Sequence, residues 1–334
     1  MEKITIAIDT LGGDNGAEFM VKGIGAAMKD FDDVSFIVVG KEDELKKYMS
    51  EENLDMSRIE IINATEVISC HEAPVEAIRK KKDSSLVLAL NAVKSGKAAA
   101  CISAGSSGAI LAGGQFIVGR AKGVKRTPLA PLIPTKKEPS LLIDCGANVD
   151  AKPENLIQFA KMGSIYMENI VGVKNPRVAI VNIGAEDEKG NALVKDTIPL
   201  LRECKDINFI GSIESREIPY GAADVIVCEA FVGNVILKLY EGLSSMLMSE
   251  LKGIFKSSPA TKFGAAFIIK PLKKLLGRFK ADDKGGAPLL GLKGLVVKIH
   301  GNSKVNEVSS AIAQCRSFIK KDVTGKIVNA FEEA

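Results

Sequence analysis

The sequence contains no tryptophan and only two histidines, His71 and His300, in 334 residues. Neither histidine has cysteine or carboxylate neighbours at the spacing of metal ligands, which argues against a zinc site. No G-x-S-x-G segment is present, so the signature of a Ser-His-Asp hydrolase is missing. If the chain is an enzyme, its nucleophile is therefore not expected to be a side chain.

Long hydrophobic runs are also missing. No stretch reaches the ~18 apolar residues of a membrane span, and the N-terminus leads into a strand pattern without the layout of a signal peptide. The six cysteines are scattered without a C-x-x-C pair, and three of them lie inside apolar runs, as reduced core thiols do. We expect a cytoplasmic protein.

Nucleotide-binding glycine motifs are absent as well. The chain has neither G-x-G-x-x-G with an acidic residue after the next strand nor G-x-x-x-x-G-K-[ST]. A dinucleotide site and a P-loop are therefore not expected, and neither is any cofactor or metal. What is present is a globular composition, 46% hydrophobic, with enough length for a large core or two α/β lobes.

Nine short β-branched or aliphatic runs alternate with helical patterns along the chain. Near-continuous apolar strands separated by helices indicate a mostly parallel sheet that is covered on both faces. A proline-rich stretch at 127–139 is the best candidate for a crossing between two lobes. The predicted strands are 4–9, 34–40, 59–64, 98–104, 140–146, 177–184, 207–213, 224–231 and 295–301.

Six of these strands end in glycine together with carboxylate, amide or hydroxyl residues. In open α/β sheets, ligands bind beyond the carboxyl ends of the strands, so these ends are expected to form one site. Turn chemistry alone also explains the glycines, although it does not require the accompanying carboxylates and amides. The six ends are 9–14, 103–105, 144–148, 182–184, 231–234 and 300–303.

The stretch 98–114, AAACISAGSSGAILAGG, is the most informative of them. It predicts a buried strand, a turn of small residues and a helix, so that several backbone N–H groups point outward at the helix N-terminus. Small residues let an oxyanion approach the backbone closely, and we interpret this turn as a phosphate site. An ordinary strand-to-helix turn is the alternative interpretation.

Two basic clusters are candidates for phosphate contacts. Four consecutive cations at 79–82 precede the hydroxyls of Ser84 and Ser85, and residues 125–126 form the second cluster. A solvated helix end, where cations interact well with the helix dipole, explains the first cluster equally well.

Positive charge is concentrated between residues 252 and 280, a segment with eight basic and no acidic side chains. The formal net charge of the whole chain is only +4. Apolar residues at i, i+3, i+4 and i+7 predict two amphipathic helices over 242–280. A surface of this kind lies on an anionic membrane, docks an acidic protein or packs in a dimer interface, and all three interpretations stay open.

Eight longer motifs combine these features. They are DTLGGD (9–14), HEAPVEAIRKKKDSS (71–85), SAGSSGA (103–109), DCGAN (144–148), NIGAEDEKG (182–190), FIGSIE (209–214), EAFVGNVILK (229–238) and GGAPLLGLKGLVVKIHGNS (285–303). Together they closely resemble the bacterial phosphate acyltransferase family (PlsX) over essentially the full length. The chain departs from the family pattern at Leu11, usually Met, at Ser106, usually Asn, and at Glu229-Ala230, usually Asp-Gly.

The resemblance implies a three-layer α/β/α fold with two intertwined lobes, similar to phosphotransacetylases and to isocitrate/isopropylmalate dehydrogenases, and usually homodimeric. It implies that a long-chain fatty acyl group moves from the thioester of acyl carrier protein to inorganic phosphate. The acyl phosphate product would serve phosphatidate synthesis through a membrane glycerol-phosphate acyltransferase. We expect one intertwined unit over 1–334, a protruding basic helical hairpin at 242–284, and no nucleic-acid partner. Peripheral contact with the inner face of the plasma membrane follows if the hairpin binds lipid.

In such a reaction phosphate is the nucleophile, so the protein has to orient it and stabilise an oxyanion. We assign phosphate binding to Arg79, Lys82, Ser84, Ser103, Gly105, Ser106, Ser107 and Gly108. We assign oxyanion or thioester contacts to Asn148, Asn182, Asn234 and Lys238, and positioning or proton transfer to Asp9, Asp14 and His300. The carrier-protein or membrane surface is assigned to Lys252, Lys256, Lys262, Lys270, Lys273, Lys274 and Arg278.

Three alternatives are kept. A phosphotransacetylase-like enzyme would use acyl-CoA instead of the carrier protein. A dehydrogenase of the isocitrate group would need a metal and a dinucleotide, for which the sequence has no motif. A non-catalytic scaffold would use the basic hairpin to bring carrier protein to membranes.

Overall fold

The computed structural model describes residues 3–278 and 285–332, apart from the side chains of Ala266, Ile269 and residues 273–278. Its strands form two sheets. The strands are β1 (Ile4–Asp9), β2 (Val34–Gly40), β3 (Ile59–Asn63), β4 (Ala100–Ser103), β5 (Leu132–Ile133), β6 (Ser140–Ile143), β7 (Arg177–Asn182), β8 (Asn208–Glu214), β9 (Val225–Val227), β10 (Ala287–Leu289) and β11 (Leu295–Lys298).

The first sheet has the strand order β10-β11-β4-β1-β2-β3, and the second has the order β5-β6-β9-β7-β8. Neighbouring strands are parallel except in two edge pairs, β10 with β11 and β5 with β6. The chain builds most of the first sheet, passes to the second for β5–β9, and returns to complete the first with β10 and β11. The predicted α/β class with mostly parallel strands is confirmed.

Helices connect the strands and cover the sheets. They are α1 (Gly16–Asp30), α2 (Glu42–Glu51), α3 (Pro74–Lys80), α4 (Ser85–Lys94), α5 (Ser107–Gly113), α6 (Pro153–Tyr166), α7 (Ala192–Glu203), α8 (Ala230–Lys256), α9 (Pro259–Arg278), α10 (Val305–Lys320) and α11 (Val323–Glu332). Short 3-10 turns at Met56–Arg58 and Ser215–Tyr220 and π turns at Gly114–Val118 and Met167–Val171 complete the described helical structure.

The alternation of side chains along β1 shows how the layers are built. Ile6 and Ile8 point into a core shared with α1 and α10, whereas Ala7 points into a second core with α4 and α5. The first of these cores continues into the second sheet, where the rings of Tyr166 in α6 and Phe318 in α10 lie 5.3 Å apart. One continuous apolar layer therefore holds the two sheets together.

All nine predicted strands are present, but the predicted strand 224–231 is wrong at its end. β9 stops at Val227, and the carboxylate of Glu229 accepts hydrogen bonds from the N–H groups of Phe231 and Val232, both at 2.7 Å. This N-cap starts α8 at Ala230, so the Phe-Val-Gly-Asn segment begins a helix and does not follow a strand. The sequence analysis also missed the short edge strands β5 and β10.

The proline-rich stretch links the two sheets, as its composition predicted. Leu129 forms a bridge with Leu289 of β10, and the Ala130 N–H donates to the Pro288 carbonyl at 3.1 Å. Three residues later the chain enters β5, which pairs with β6 in the second sheet. The segment is thus hydrogen-bonded to both sheets.

A buried carboxylate with two partly exposed cations fixes α10 to the first sheet. The carboxylate of Asp33, just before β2, accepts hydrogen bonds from Arg316 Nε at 2.7 Å and Arg316 Nη2 at 2.9 Å, and Lys320 Nζ lies 2.5 Å from it. These cations, Arg316 first, hold the pKa of Asp33 well below its ordinary value. The guanidinium also stacks on Phe31, 4.8 Å from the ring centre.

We expect Asp33→Asn to lower the free energy of unfolding by about 2 kcal/mol at neutral pH, because two cations lose a charged partner. A carboxylate whose pKa is lowered by folding stabilises the folded protein at pH values above its ordinary pKa of about 4. This stabilisation is lost as the pH falls and the carboxylate becomes protonated. Urea unfolding should therefore show the difference from the wild type narrowing below about pH 4. The exposed neighbour gives the control, Asp32→Asn, and an equal loss there would contradict the assignment.

Candidate active site

Three adjacent strands of the first sheet end in the same row. Asp9, Ser103 and Lys298 are the last residues of β1, β4 and β11, and the strand register aligns Asp9 with Ser103 and Ser103 with Lys298. The loops that follow these strands are residues 10–15, 104–106 and 299–304, and α5 begins directly after the second of them, at Ser107. The carboxyl edge of the sheet thus brings three of the predicted strand ends together.

The three loops are hydrogen-bonded to one another. The Ile299 N–H donates to the Ser103 carbonyl at 2.9 Å, and the Asp14 N–H donates to the Gly301 carbonyl at 2.7 Å. Asn15 Nδ2 donates to the Ser303 carbonyl at 3.0 Å. Two main-chain hydrogen bonds and one from the exposed Asn15 side chain therefore fix the spacing of the three loops.

Glycine is required where two of the loops meet. A Cβ atom on Gly12 would lie 2.7 Å from the Gly105 Cα atom and 2.9 Å from Asp9 Oδ2, too close for any real contact. The Asp9 carboxylate lies beneath this point, completely buried, and accepts hydrogen bonds from Ser103 Oγ at 2.6 Å and from the Leu11 N–H at 3.2 Å. Burial raises the pKa of Asp9, and the hydrogen bond from Ser103 opposes the rise.

Two cavities open beside this edge. The first, called here the polar cavity, has a volume of about 400 Å³ and is lined by Asp14, Cys70, residues 104–108, Lys298 and Gly301. The second, the intersheet cavity, has an apolar wall of Leu129, Pro131, Leu132, Leu237 and Ala287. Ser107 and Lys298 line both cavities, so the two adjoin at these residues.

Eight of the predicted site residues lie at these cavities. The polar cavity contains Asp14, Gly105, Ser106, Ser107 and Gly108. The intersheet cavity contains Asn234, Lys238 and His300, together with Ser107. Lys238 Nζ is paired with Glu241, at 2.6 Å. Asp9 and Ser103 form the layer beneath.

The predicted phosphate ligands on and after α3 lie elsewhere and line neither cavity. The Arg79 guanidinium stacks on the Phe116 ring, 5.9 Å from its centre, and Lys82 Nζ donates to the Ile78 carbonyl at 3.3 Å. The Ser84 hydroxyl is completely buried and donates to the Lys81 carbonyl at 2.8 Å. These contacts match the alternative of a solvated helix end for the 79–82 cluster.

Asn148 and Asn182 also lie outside the two cavities and hold their own loops. Asn148 Nδ2 donates to Asp144 Oδ2 at 2.7 Å and to the Thr127 carbonyl at 3.0 Å. Asn182 Nδ2 donates to the Lys189 carbonyl at 3.2 Å, and its Oδ1 accepts from the Ile183 N–H at 2.8 Å.

Asp144 has a role that the sequence did not reveal. Its buried carboxylate accepts hydrogen bonds from the N–H groups of Leu129, at 2.9 Å, and Asn148, at 2.8 Å. Burial raises the pKa of Asp144 to about 6, against these hydrogen bonds. The DCGAN motif thus ties the sheet-crossing segment, and with it the apolar wall of the intersheet cavity, to the end of β6.

The helical hairpin of α8 and α9 extends away from the core. From Leu237 to Leu272, no side chain that the structure describes is buried. Apolar residues four positions apart make one exposed stripe along α8: Phe231, Val235, Leu239, Leu243 and Leu247. Among the predicted basic residues, Lys252, Lys256, Lys262 and Lys270 are exposed. The side chains of Lys273, Lys274 and Arg278, and residues 279–284 of the predicted hairpin, lie outside the described part.

Within the described ranges, no helix combines the length and apolarity needed to cross a bilayer. This finding includes α8 and the described part of α9.

Comparison with known protein families shows which family this chain belongs to. Residues 4–326 match the profile of a family described as "Fatty acid synthesis protein". The chain belongs to this family. A protein of Clostridium perfringens (strain 13 / Type A) named "Putative phosphate acyltransferase" is 48% identical over 322 residues, 96% of this chain and 95% of that protein. A "Phosphate acyltransferase" of Clostridium botulinum (strain Loch Maree / Type A3) is 47% identical over 324 residues, 97% of this chain and 96% of that protein.

Family membership at this level makes the chain an acyltransferase. Solved structures agree in fold. A phosphotransacetylase from Streptococcus pyogenes superposes with a TM-score of 0.63 over 95% of this chain and 94% of its own, at 17% identity. The EutD phosphotransacetylase from Staphylococcus aureus gives 0.59 over 94% of both chains, at 18% identity. The predicted likeness to the phosphotransacetylase fold is confirmed.

We expect Gly12→Ala to reduce acyl transfer by about tenfold or more, because the new methyl group pushes the loops after β1 and β4 apart at the cavity floor. The overpacked contact should also lower the free energy of unfolding by about 1–3 kcal/mol. Steady-state kinetics and thermal unfolding measure the two effects.

The matched control is Gly253→Ala in α8, where an added methyl group meets open space. Gly253 lines neither cavity, so this change should leave the rate at saturating acyl donor unaltered and stabilise the helix slightly. If Gly12→Ala transferred acyl groups at the wild-type rate, the close approach of Gly12 to Gly105 would not be needed for activity.

Proposed function

We propose that the enzyme transfers a long-chain fatty acyl group from the thioester of acyl carrier protein to inorganic phosphate. The acyl phosphate formed would supply phosphatidate synthesis. The observation that carries the proposal is the pairing of a polar cavity, rich in small hydroxyl residues, with an adjoining cavity that has an apolar wall. A phosphate fits the first, and the carboxyl end of an acyl chain fits the second.

The chemistry needs no nucleophilic side chain. An oxygen of the phosphate dianion attacks the thioester carbonyl carbon, and the resulting oxyanion collapses with cleavage of the C–S bond. The phosphate proton ends on the departing thiolate, so the products are acyl phosphate and the free carrier thiol. Holding phosphate against the carbonyl makes the attack effectively intramolecular, and hydrogen-bond donors aimed at the developing oxyanion stabilise the transition state further.

The cavity residues have natural roles in this scheme. The hydroxyls of Ser106 and Ser107 and the backbone N–H of Gly108 would bind the phosphate oxygens, since only small residues allow such close approach. The Gly105 N–H is already engaged, because it donates to Ser103 Oγ at 3.1 Å. Asn234 and His300, in the intersheet cavity, would donate to the carbonyl oxygen as it becomes an oxyanion. Asp14 would orient the cations and donors around the phosphate.

The thiols at the cavities offer the main chemical alternative, a covalent acyl-cysteine. Burial raises the pKa of Cys145 well above its ordinary value, which disfavours its thiolate. Cys70 is exposed at the polar cavity and is the thiol that a test has to eliminate.

We expect thiol release from acyl carrier protein to depend on added phosphate, with acyl phosphate trapped by hydroxylamine as the hydroxamate. Cys70→Ser should retain the activity, because phosphate and not the thiol attacks. Equal thiol release without phosphate, or an acyl adduct on Cys70, would contradict the proposal. Faster reaction with acyl-CoA than with acyl carrier protein would favour a phosphotransacetylase-like enzyme, and binding without turnover would favour a scaffold.

The basic hairpin has a matching part in the proposal. Acyl carrier protein is acidic, and Lys252, Lys256, Lys262 and Lys270 present exposed positive charge on a helical surface that the core does not cover. An anionic bilayer is the second acidic surface that this segment fits, which would make the enzyme a peripheral membrane protein near the acyltransferase that takes up its product. The apolar stripe along α8 fits a second copy of the chain, as the predicted homodimer requires.

Reversing these four lysines to glutamate should raise the apparent KM for acyl carrier protein by about tenfold at low salt, with less effect at high salt. It should also weaken sedimentation with vesicles that contain anionic phospholipid. The control carries the same change in net charge on other exposed lysines: Lys94, Lys97, Lys122 and Lys205 to glutamate. Equal effects from both variants would show that net charge alone matters, and no effect from the first would leave the hairpin without this role.

A further inference from the structure

Among the residues that the structure describes, Lys298 is the one cation that lines both cavities. It ends β11 in the same row as Ser103 and Asp9, and its side chain is half-buried. Its ammonium donates to the Ile299 carbonyl at 3.2 Å, and within residues 3–278 and 285–332 it forms no ion pair with a carboxylate. A half-buried ammonium with a single weak partner retains donors for a ligand.

The electrostatic surroundings of Lys298 are those of a cation without its counter-ion. Burial lowers the pKa of Lys298, and the nearby Lys238 lowers it further, whereas Glu241 and Asp14 raise it. Lys238 is itself neutralised by Glu241, at 2.6 Å. A bound anion at the meeting point of the cavities would supply the missing negative charge.

Ser303 gives a second and independent observation. The residue is only 4% exposed and lines the intersheet cavity, yet its hydroxyl has no hydrogen-bond partner among the described residues. Its main chain is fixed on both sides: the N–H donates to the His300 carbonyl at 3.0 Å, and the carbonyl accepts from Asn15 Nδ2 at 3.0 Å. Buried hydroxyls are nearly always hydrogen-bonded, so the unpaired one of Ser303 has a donor and an acceptor available for a ligand or a water in the cavity.

We propose that Lys298 and Ser303 bind the phosphate that attacks the thioester, Lys298 from the meeting point of the two cavities and Ser303 from the intersheet side. The inference rests on the proposed function and deepens it. The predicted turn at 105–108 offers only neutral groups to phosphate, and Lys298 would supply the positive charge. Phosphate held there touches both cavities, so it lies against a carbonyl carbon placed beside the apolar wall. A lysine suits this task because it contributes a compact charge with three donors to a tetrahedral oxyanion.

The test compares Lys298→Met and Ser303→Ala with the wild type in phosphate-dependent thiol release, varying phosphate and acyl carrier protein separately. Lys298→Met should lower kcat/KM for phosphate by about 100-fold, and Ser303→Ala by about tenfold, with a much smaller change in KM for the carrier protein. Removing an unpaired hydroxyl should leave the Tm of Ser303→Ala equal to or above that of the wild type. If Ser303 had only a structural role, Ser303→Ala would lower the Tm and leave kcat/KM for phosphate unchanged.

Two controls separate site effects from general ones. Ser164→Ala removes a buried hydroxyl that donates to the Ala160 carbonyl at 3.0 Å, so it should lower the Tm without changing the phosphate KM. Lys293→Met removes an exposed lysine just before β11, at the opposite end of the strand from Lys298. It should change neither the Tm nor the KM for phosphate.

Binding of inorganic phosphate gives a readout that does not depend on turnover. Phosphate should raise the Tm of the wild type and have little effect on Lys298→Met. If wild-type thiol release requires phosphate but both variants keep its phosphate KM, the inference is overturned while the proposed function stands. If wild-type release ignores phosphate, the proposed function fails, and protection of the wild type but not of Lys298→Met would still identify an anion site.

Discussion

The hydrogen bond from the Ser103 hydroxyl to the buried carboxylate of Asp9 is the contact on which the site depends. It joins the last residues of two central strands, and the loops that leave them approach so closely that a side chain on Gly12 would collide with the Gly105 backbone. Because the hydroxyl and the carboxylate satisfy each other beneath the cavity floor, the groups above the floor are free to face a ligand. The strands thus set the geometry, and the loops supply the chemistry.

The second constraint is that the chain crosses between its sheets. Residues 129–133 are hydrogen-bonded to β10 and then to β6, and Asp144 holds the Leu129 N–H from the end of β6. The apolar wall of the intersheet cavity is therefore built from a segment that belongs to both sheets. A site formed in this way is sensitive to the relative placement of the sheets, which the shared core of α6 and α10 keeps fixed.

Much of the fold could be predicted from the sequence, because buried parallel strands are near-continuous apolar runs and each of the nine was visible as such. The site was only partly predictable. Glycine with polar residues singled out residues 105–108, which line the polar cavity, because that signal is local; that they bind phosphate stays a prediction. Arg79 and Lys82 were expected to contact phosphate because they are clustered in sequence. In the structure Arg79, on α3, faces the Phe116 ring, and Lys82, which follows α3, donates to the Ile78 carbonyl. Lys298 and Ser303, which we propose as phosphate ligands, gave no such local signal. Lys298 reaches the site edge through its register with Ser103, a pairing across almost two hundred positions that no local pattern reveals.

The return of the chain to its first sheet has a consequence for biosynthesis. β4 lies between β1 and β11 in the finished sheet, but β11 is the last strand to leave the ribosome. Until then, one side of β4 is an open edge, with unpaired amide and carbonyl groups beside an apolar strand. While the second sheet is being synthesised, the nascent chain thus exposes an unpaired, aggregation-prone strand edge. A prematurely terminated chain that lacks residues 295–298 would keep that edge open permanently.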